Sequence, residues 1–557
     1  MKQLSLAALV FIFLSACVKP ETHPPAQAVA SAHPAATQAG LDILNQGGNA
    51  FDAAVAVSAA LAVVEPFGSG IGGGGFWLLH RASDGKQVML DGREVAPQKA
   101  HRDMYLDHAG EPIKQASVNG ALAAGIPGMP AALVHLSQQY GKLSLGDSLN
   151  PAIKLAENGF SVNQHYQSLA QFRHAVLAAS EPAKSLFLKQ GQVPKLGASI
   201  VQKDLAMTLR QLGKDGFNGF YAGPVADKLV QGVQQAGGIW THQDLANYRV
   251  KEREPIIIDY KGIKVISAAL PSSGGLVLSI ALNSLEQYDL AAMDEATRIH
   301  VVVEAMRRAY FERALSMGDS DFVSVPSDTL QKKSYAHQLA ADISLDKATP
   351  SAQINGLNPT EGHDTTHFSV LDRQGNRVSA TLSINYPFGS GFVPPGTGVL
   401  LNDEMDDFSI KPGTPNVYGL VGGEANAIQP GKRMLSSMSP TFFETDDKVG
   451  LLGTPGGSRI ISMVLLALLD AAQGQDPQSW VSLARYHHQY LPDWIQHEPN
   501  ALSEQTIAQL KAKGHQLQSV GRSYGNMHAI LWDKKSNTVS AASDPRHSGK
   551  ASVESGR

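Results

Sequence analysis

The chain has 557 residues, 43% of them hydrophobic and 17% charged, and carries a formal charge of −4. That length can bury a sizeable core and leaves room for more than one domain. No basic tract interrupts the near-balance of 46 Lys and Arg against 50 Asp and Glu, so neither nucleic acid nor an anionic membrane face is indicated as a partner.

Lys2 followed by the apolar run Leu4 to Leu14 has the make-up of an export signal, and is too short to span a bilayer. The run closes in Leu14-Ser15-Ala16-Cys17, which resembles a bacterial lipobox. Cys17 is the only cysteine, which excludes an internal disulfide and a cysteine-based catalytic site in the body. On the lipobox reading residues 1–16 are removed and Cys17 is lipidated. A simply cleaved signal with an incidental cysteine is the alternative. Val18, not Asp, follows Cys17, and resemblance to sorted lipoproteins then places the protein in the periplasm, anchored to the outer membrane. Residues 17–36, rich in Pro, Ala and His, read as a tether.

The folded body is expected from about residue 37. Asn49 is a plausible N-cap for a buried helix over Ala50 to Val64, stopped before Pro66. The glycine run from Gly68 to Gly75 lacks the Lys-Ser/Thr of a phosphate loop, and close backbone packing is its expected use. Strands follow at Phe76 to His80 and Val88 to Asp91, with Arg93 just beyond. Gly125 to Leu345 reads as mostly helical, with Pro151 to Asn158 and Thr297 to Ala314 the clearest patterns and a strand at Tyr260 to Ile266. His300 and Glu304 lie one helical turn apart, too few ligands for a metal site.

The run from His363 to Asp372 turns into a strand with Thr366, Phe368 and Val370 on one face and His367, Ser369 and Leu371 on the other. A turn near Arg373 to Asn376 leads to a returning strand over Arg377 to Asn385. Thr365 opens this hairpin. Cutting the Asp364–Thr365 bond would give Thr365 a free α-amine with a reference pKa of about 8, able to take the proton from its own hydroxyl. A four-residue turn puts Ser383 opposite Thr366, and a five-residue turn puts it opposite Thr365. Ser383 and Asn385, two apart, would share a face. Further on, Gly453 to Gly457 reads as a Gly-rich loop between a strand and a helix, a place where backbone N–H groups can meet an anion. His487 and His488 are adjacent, so they do not point together and are read as structural. The tail after His547 reads as loose.

Asp364-Thr365-Thr366-His367-Phe368-Ser369-Val370 resembles the processing site of the γ-glutamyltranspeptidases. Leu401 to Phe408, Pro415 to Leu420, Leu435 to Thr441 and Gly453 to Arg459 resemble later motifs of that family, in the same order. The resemblance implies an α/β Ntn-hydrolase fold, a four-layer αββα sandwich. It also implies one precursor that cuts itself into residues 37–364, with whatever precedes them, and 365–557, which stay together as a heterodimer. Thr365 would be the nucleophile, Ser383 its hydroxyl neighbour, often Thr in the family, and Gly456 and Gly457 the oxyanion donors. Arg93 with Ser436 and Ser437 would hold the substrate's α-carboxylate. Asp407 with Glu404 would hold its α-ammonium from a facing wall, and Asn385 would be a further substrate-binding residue. Pro412 to Gly423 would be a lid with Tyr418 as gate. The implied reaction cleaves γ-glutamyl amides such as glutathione and passes the γ-glutamyl group to water or to an amino acid or peptide. The resemblance implies neither metal nor organic cofactor. A glutaryl or cephalosporin acylase of the same fold, and a non-catalytic peptide-binding lipoprotein, are the alternatives.

Overall fold

A computed structural model describes residues 23–351 and 365–555. The stretch read as an export signal, Cys17 and Asp364 lie outside the described residues.

The helix Ala50–Val64 starts where its capping chemistry dictates. The Asn49 side chain accepts from the N–H groups of Phe51 and Asp52, and Asp52 bonds back to the Asn49 N–H. Every residue of this helix is buried. It packs against helices Pro34–Asn45 and Leu145–Asn158 and against strands Thr366–Leu371 and Arg377–Ser383.

Those two strands lie at the centre of a seven-stranded antiparallel sheet. Its order is Lys550–Ser555, Ala26–Ser31, Thr366–Leu371, Arg377–Ser383, Gly74–Arg81, Lys86–Gly92 and Lys251–Arg253. A six-stranded antiparallel sheet lies behind it, ordered Thr538–Ser543, His528–Asp533, Lys448–Gly453, Thr441–Glu444, Ile263–Ser267 and Ile256–Tyr260. The period-2 alternation decides which side chain goes where. Phe368 and Val370 enter the helix-side core. Ser369 faces the second sheet and donates to the His528 carbonyl at 3.3 Å. Ser379 likewise donates to the Leu452 carbonyl at 3.1 Å. Helices Gly274–Leu285, Glu295–Ser316 and Ile460–Ala472 share a core with the second sheet and close the other side. The layering is therefore α, β, β, α. Among the described residues no helix is long and apolar enough to cross a membrane.

Three expectations are corrected. The stretch read as a tether to residue 36 contains a fully buried strand, Ala26–Ser31, and the start of helix Pro34–Asn45. Small side chains suit a linker and also suit a strand buried on both faces, so composition alone does not separate the two. The tail read as loose forms strand Lys550–Ser555, which pairs along that same segment. The single strand expected over Tyr260 to Ile266 is the end of one strand and the start of the next. Lys261 and Gly262, both at positive φ, turn the chain between them.

The glycine run serves close packing. A Cβ on Gly72 would stand 2.1 Å from the Leu400 carbonyl oxygen, and one on Gly73 would stand 2.2 Å from that of Ser383.

Candidate active site

Thr365 precedes the central strand Thr366–Leu371 and is nearly buried. In the hairpin, Arg377 pairs with Leu371 and Leu382 with Thr366, so the connection is the five residues Asp372 to Asn376. One step further, the same register sets Ser383 opposite Thr365. Their hydroxyl oxygens are 3.4 Å apart. Asp372 decides this length. One of its carboxylate oxygens accepts from the N–H groups of Gln374 and Asn376, and the other accepts from the Asn376 amide and from the Ala50 N–H. Asn385 lies past the end of the strand at φ +73°, so strand alternation does not place it. Its N–H donates to the Ser383 hydroxyl at 2.8 Å, and both residues line one cavity.

That cavity brings Thr365, Ser383 and Asn385 together with Arg93, Glu404, Asp407, Ser436, Ser437, Tyr418 and Gly457. Its polar end is a buried charge cluster. Arg93 donates to Glu404 at 2.5 Å and to Asp407 at 2.5 Å, and Glu94 lies 3.6 Å from it. The two facing walls expected for a zwitterion are thus in direct contact. Three carboxyl groups crowd one guanidinium in a low-dielectric interior, where pairing outweighs separation. Burial pulls the Arg93 guanidinium down, but Glu404 and Asp407 outweigh it and push it up. Burial raises Glu404, and Asp407 adds to that, against Arg93 and the Ser383 hydroxyl. Burial raises Glu94 well above the carboxylate range, and Glu404 adds to this.

The stretch expected as a lid is a small hairpin with Pro415 bridged to Val421, and its Tyr418 lines the cavity. Asn416 organises it, accepting from the N–H groups of Tyr418 and Leu420 and donating to Asp407 at 3.1 Å. Tyr418 donates its hydroxyl to the Asn385 carbonyl at 2.7 Å. Its ring lies flush on Gly457, where a Cβ would meet ring atoms at 2.4 Å. Gly456 and Gly457, at φ +142° and +57°, lead into the 3-10 turn Gly457–Arg459 and then helix Ile460–Ala472. Gly457 lines the cavity, with Gly456 directly before it.

Two buried groups at the site escaped the sequence reading. Glu65 caps helix Ala50–Val64 and accepts from the Thr366 hydroxyl at 2.8 Å. Burial pushes its carboxyl up to about 7, against that hydrogen bond. The signal available was an acid closing an otherwise apolar helix. Arg313, on helix Glu295–Ser316, lines the cavity beside Ser437. Its Arg-rich helix offered no clue as to which arginine turns inward.

His487 and His488, both buried, take separate partners, Gln489 and Asp493. His300, Glu304 and His515 offer ligand atoms within 4.8 Å of one another, with His515 supplied from far along the chain. Their chemistry does not suit a cation. His300 and His515 already bond each other at 2.7 Å, and Glu304 is paired with both Arg307 and Arg308.

A family model described as Gamma-glutamyltranspeptidase matches residues 36–554. The glutathione hydrolase proenzyme of Escherichia coli (strain K12) is 43% identical over 525 residues, 93% of this chain and 90% of that protein. Among solved structures, a cephalosporin acylase from Bacillus halodurans matches with a TM-score of 0.82 at 28% identity, covering 95% of this chain and 96% of that one. The Helicobacter pylori gamma-glutamyltranspeptidase matches with a TM-score of 0.57 at 43% identity, covering 58% of this chain and 94% of that one. The four-layer sandwich is accordingly the Ntn-hydrolase fold. Matched along nearly its whole length, the chain belongs to the gamma-glutamyltranspeptidase family.

Proposed function

We propose that this chain is a precursor that cuts itself at Asp364–Thr365 and then cleaves γ-glutamyl amides such as glutathione, passing the acyl group to water or to an amino-acid or peptide amine. One observation carries the reading: Thr365, at the end of a central strand, shares a small cavity with a buried cluster of one guanidinium and several carboxyls.

In the first step the Thr365 hydroxyl attacks the carbonyl before it, the C–N bond breaks as the nitrogen takes up the hydroxyl proton to become the free α-amine, and water then hydrolyses the resulting ester, releasing the Asp364 carboxyl and restoring the hydroxyl. In turnover that amine takes the hydroxyl proton as Oγ1 attacks the γ-carbonyl. The Ser383 hydroxyl, 3.4 Å away, orients the attacking oxygen. The N–H groups of Gly456 and Gly457 stabilise the tetrahedral oxyanion. The departing amine carries away a proton, and water or an acceptor amine then opens the γ-glutamyl–Thr365 ester.

The contact between Arg93 and its two acids explains a demand for a zwitterion. A substrate's α-carboxylate takes over part of Arg93, assisted by Ser436 and Ser437, while its α-ammonium, beside Asn385, takes over the acid released. Charge stays balanced throughout. A glutaryl group would bring only the anion and strand Asp407 without a cation, which disfavours the acylase reading. The Tyr418 lid keeps bulk water from the acyl ester and favours amine acceptors.

We also read Cys17 as the lipidated first residue of a periplasmic protein anchored in the outer membrane.

The deciding experiment is a denaturing gel with identification of the first residue of the smaller fragment, followed by rates on γ-glutamyl and glutaryl anilides. Two fragments, the smaller starting at Thr365, with a strong preference for the γ-glutamyl donor are expected. A single band without turnover would leave a binding protein, and a preference for glutaryl would leave an acylase. Mass spectrometry of the N-terminal peptide tests lipidation.

A further inference from the structure

Arg313 is a second buried guanidinium in the cavity, and its partners differ from those of Arg93. Its Nε donates to the Ser273 hydroxyl at 3.0 Å and one Nη donates to the Ser437 hydroxyl at 3.4 Å. Among the described residues it forms no ion pair within 4.0 Å, whereas the equally buried Arg377, Arg433 and Arg485 each hold a carboxylate. Its hydrogen-bond partners are neutral hydroxyls, and the carboxylate that acts on it, Asp407, is itself paired with Arg93, so a substrate anion in the cavity would help offset its burial.

The hydroxyls carry directional information. A serine oxygen that accepts from Arg313 must turn its own proton elsewhere. For Ser273 that proton goes to the Ser436 carbonyl at 2.8 Å, and the Ser273 N–H reaches the same oxygen at 2.9 Å. Arg313 thereby braces the Ser436–Ser437 turn from behind. Ser437 lines the cavity, so the proton it does not direct at Arg313 is free to point into it. Arg93, meanwhile, is engaged by Glu404 and Asp407.

We infer that Arg313 is a positioning residue for the substrate's α-carboxylate. It fixes Ser437 as a donor into the cavity and supplies the second positive charge on that side, next to an Arg93 shared with two acids. The inference rests on the reading of this cavity as the γ-glutamyl site.

The test compares two anilide donors, γ-glutamyl and 4-aminobutanoyl, the second being the first without its α-carboxylate. Arg313→Met should still cut itself and keep kcat within about threefold, while KM for the γ-glutamyl donor rises roughly 10- to 100-fold, the scale of a lost hydrogen bond to a charged group. The preference for γ-glutamyl over 4-aminobutanoyl should largely vanish. Arg313→Lys, which keeps the charge without the planar fork, should recover part of that preference. Adding Ser437→Ala to Arg313→Met should cost much less than the two single changes combined. If Arg313→Met does not yield two fragments, Arg313→Lys is read in its place. Wild-type preference in both Arg313 variants overturns the inference. Arg93→Met separates the two levels. If it loses the preference while the Arg313 variants keep it, only the role of Arg313 falls. If it too keeps the preference, the reading of the cavity falls with it.

Discussion

Thr365 and Ser383 stand at the ends of two paired strands in the middle of the seven-stranded sheet. Arg93, Glu404, Asp407, Ser436 and Ser437 come from three separate non-strand stretches that meet around one guanidinium. The first region is held by a backbone ladder and has no charge to neutralise. The second is held by buried ion pairs whose members depend on one another. On the proposed reading, chemistry is placed where geometry is stiffest, and recognition where charges can exchange partners. Damage to the first region should appear in kcat, and damage to the second in KM.

The largest effect expected is that of Thr365→Ala. It should remain one chain on a denaturing gel and lose at least about 10⁴-fold in turnover, as removal of a nucleophile does. Normal fragments or residual turnover near wild type would place the nucleophile elsewhere. Next comes Asp407→Asn, which takes one acid from Arg93 and breaks the charge balance. Disrupting a buried, hydrogen-bonded pair costs roughly 3 kcal/mol, so KM for a γ-glutamyl anilide should rise about 100-fold with kcat little changed. An equal fall in kcat would blur the division between the two regions.

Glu65 tests the sheet side by pH. Its folded value of about 7 lies above the ordinary 4.5, so the folded protein holds a proton that the unfolded chain has lost. This contribution to stability is full below pH 4.5 and is lost as pH rises through 7. Glu65→Gln cannot ionise. In a Thr365→Ala background, its stability relative to the parent should climb by roughly 3 kcal/mol across that window and then level off. A flat difference in unfolding midpoints would show that Glu65 titrates normally. The smallest effect belongs to Ser383→Ala, which removes one neutral hydrogen-bonding group, worth about 1 kcal/mol, or roughly fivefold in kcat. Ser383→Thr should restore it, and a change confined to KM would move Ser383 into the recognition cluster.

Much of this site could be read from the chain alone. The alternation from Thr366 to Leu371 assigned each side chain to its face, and the motifs around Arg93, Glu404 and Ser436, through their resemblance to a family, pointed to residues that do line the cavity. The alternation stopped short at Ser383, because the hairpin register hung on one residue of turn length. Asp372 settles that length by bonding across the turn and to the start of helix Ala50–Val64, some 320 positions earlier. Arg313 was invisible for a similar reason. On a helix carrying several arginines, only the packing of Ser273 and Ser437 selects the one that turns toward the cavity.

By itself the sequence determined what depends on near neighbours: the capped helix after Asn49 and the two-faced strand after Thr365. Tertiary structure alone decided which distant segments meet. It drew Ala26–Ser31 between strands whose residues lie hundreds of positions away. It also pressed the two expected walls of the pocket into a single ion-pair cluster. Periodicity and capping are short-range properties of a chain, whereas charge pairing and strand order are fixed by whatever stands within a few ångströms after folding.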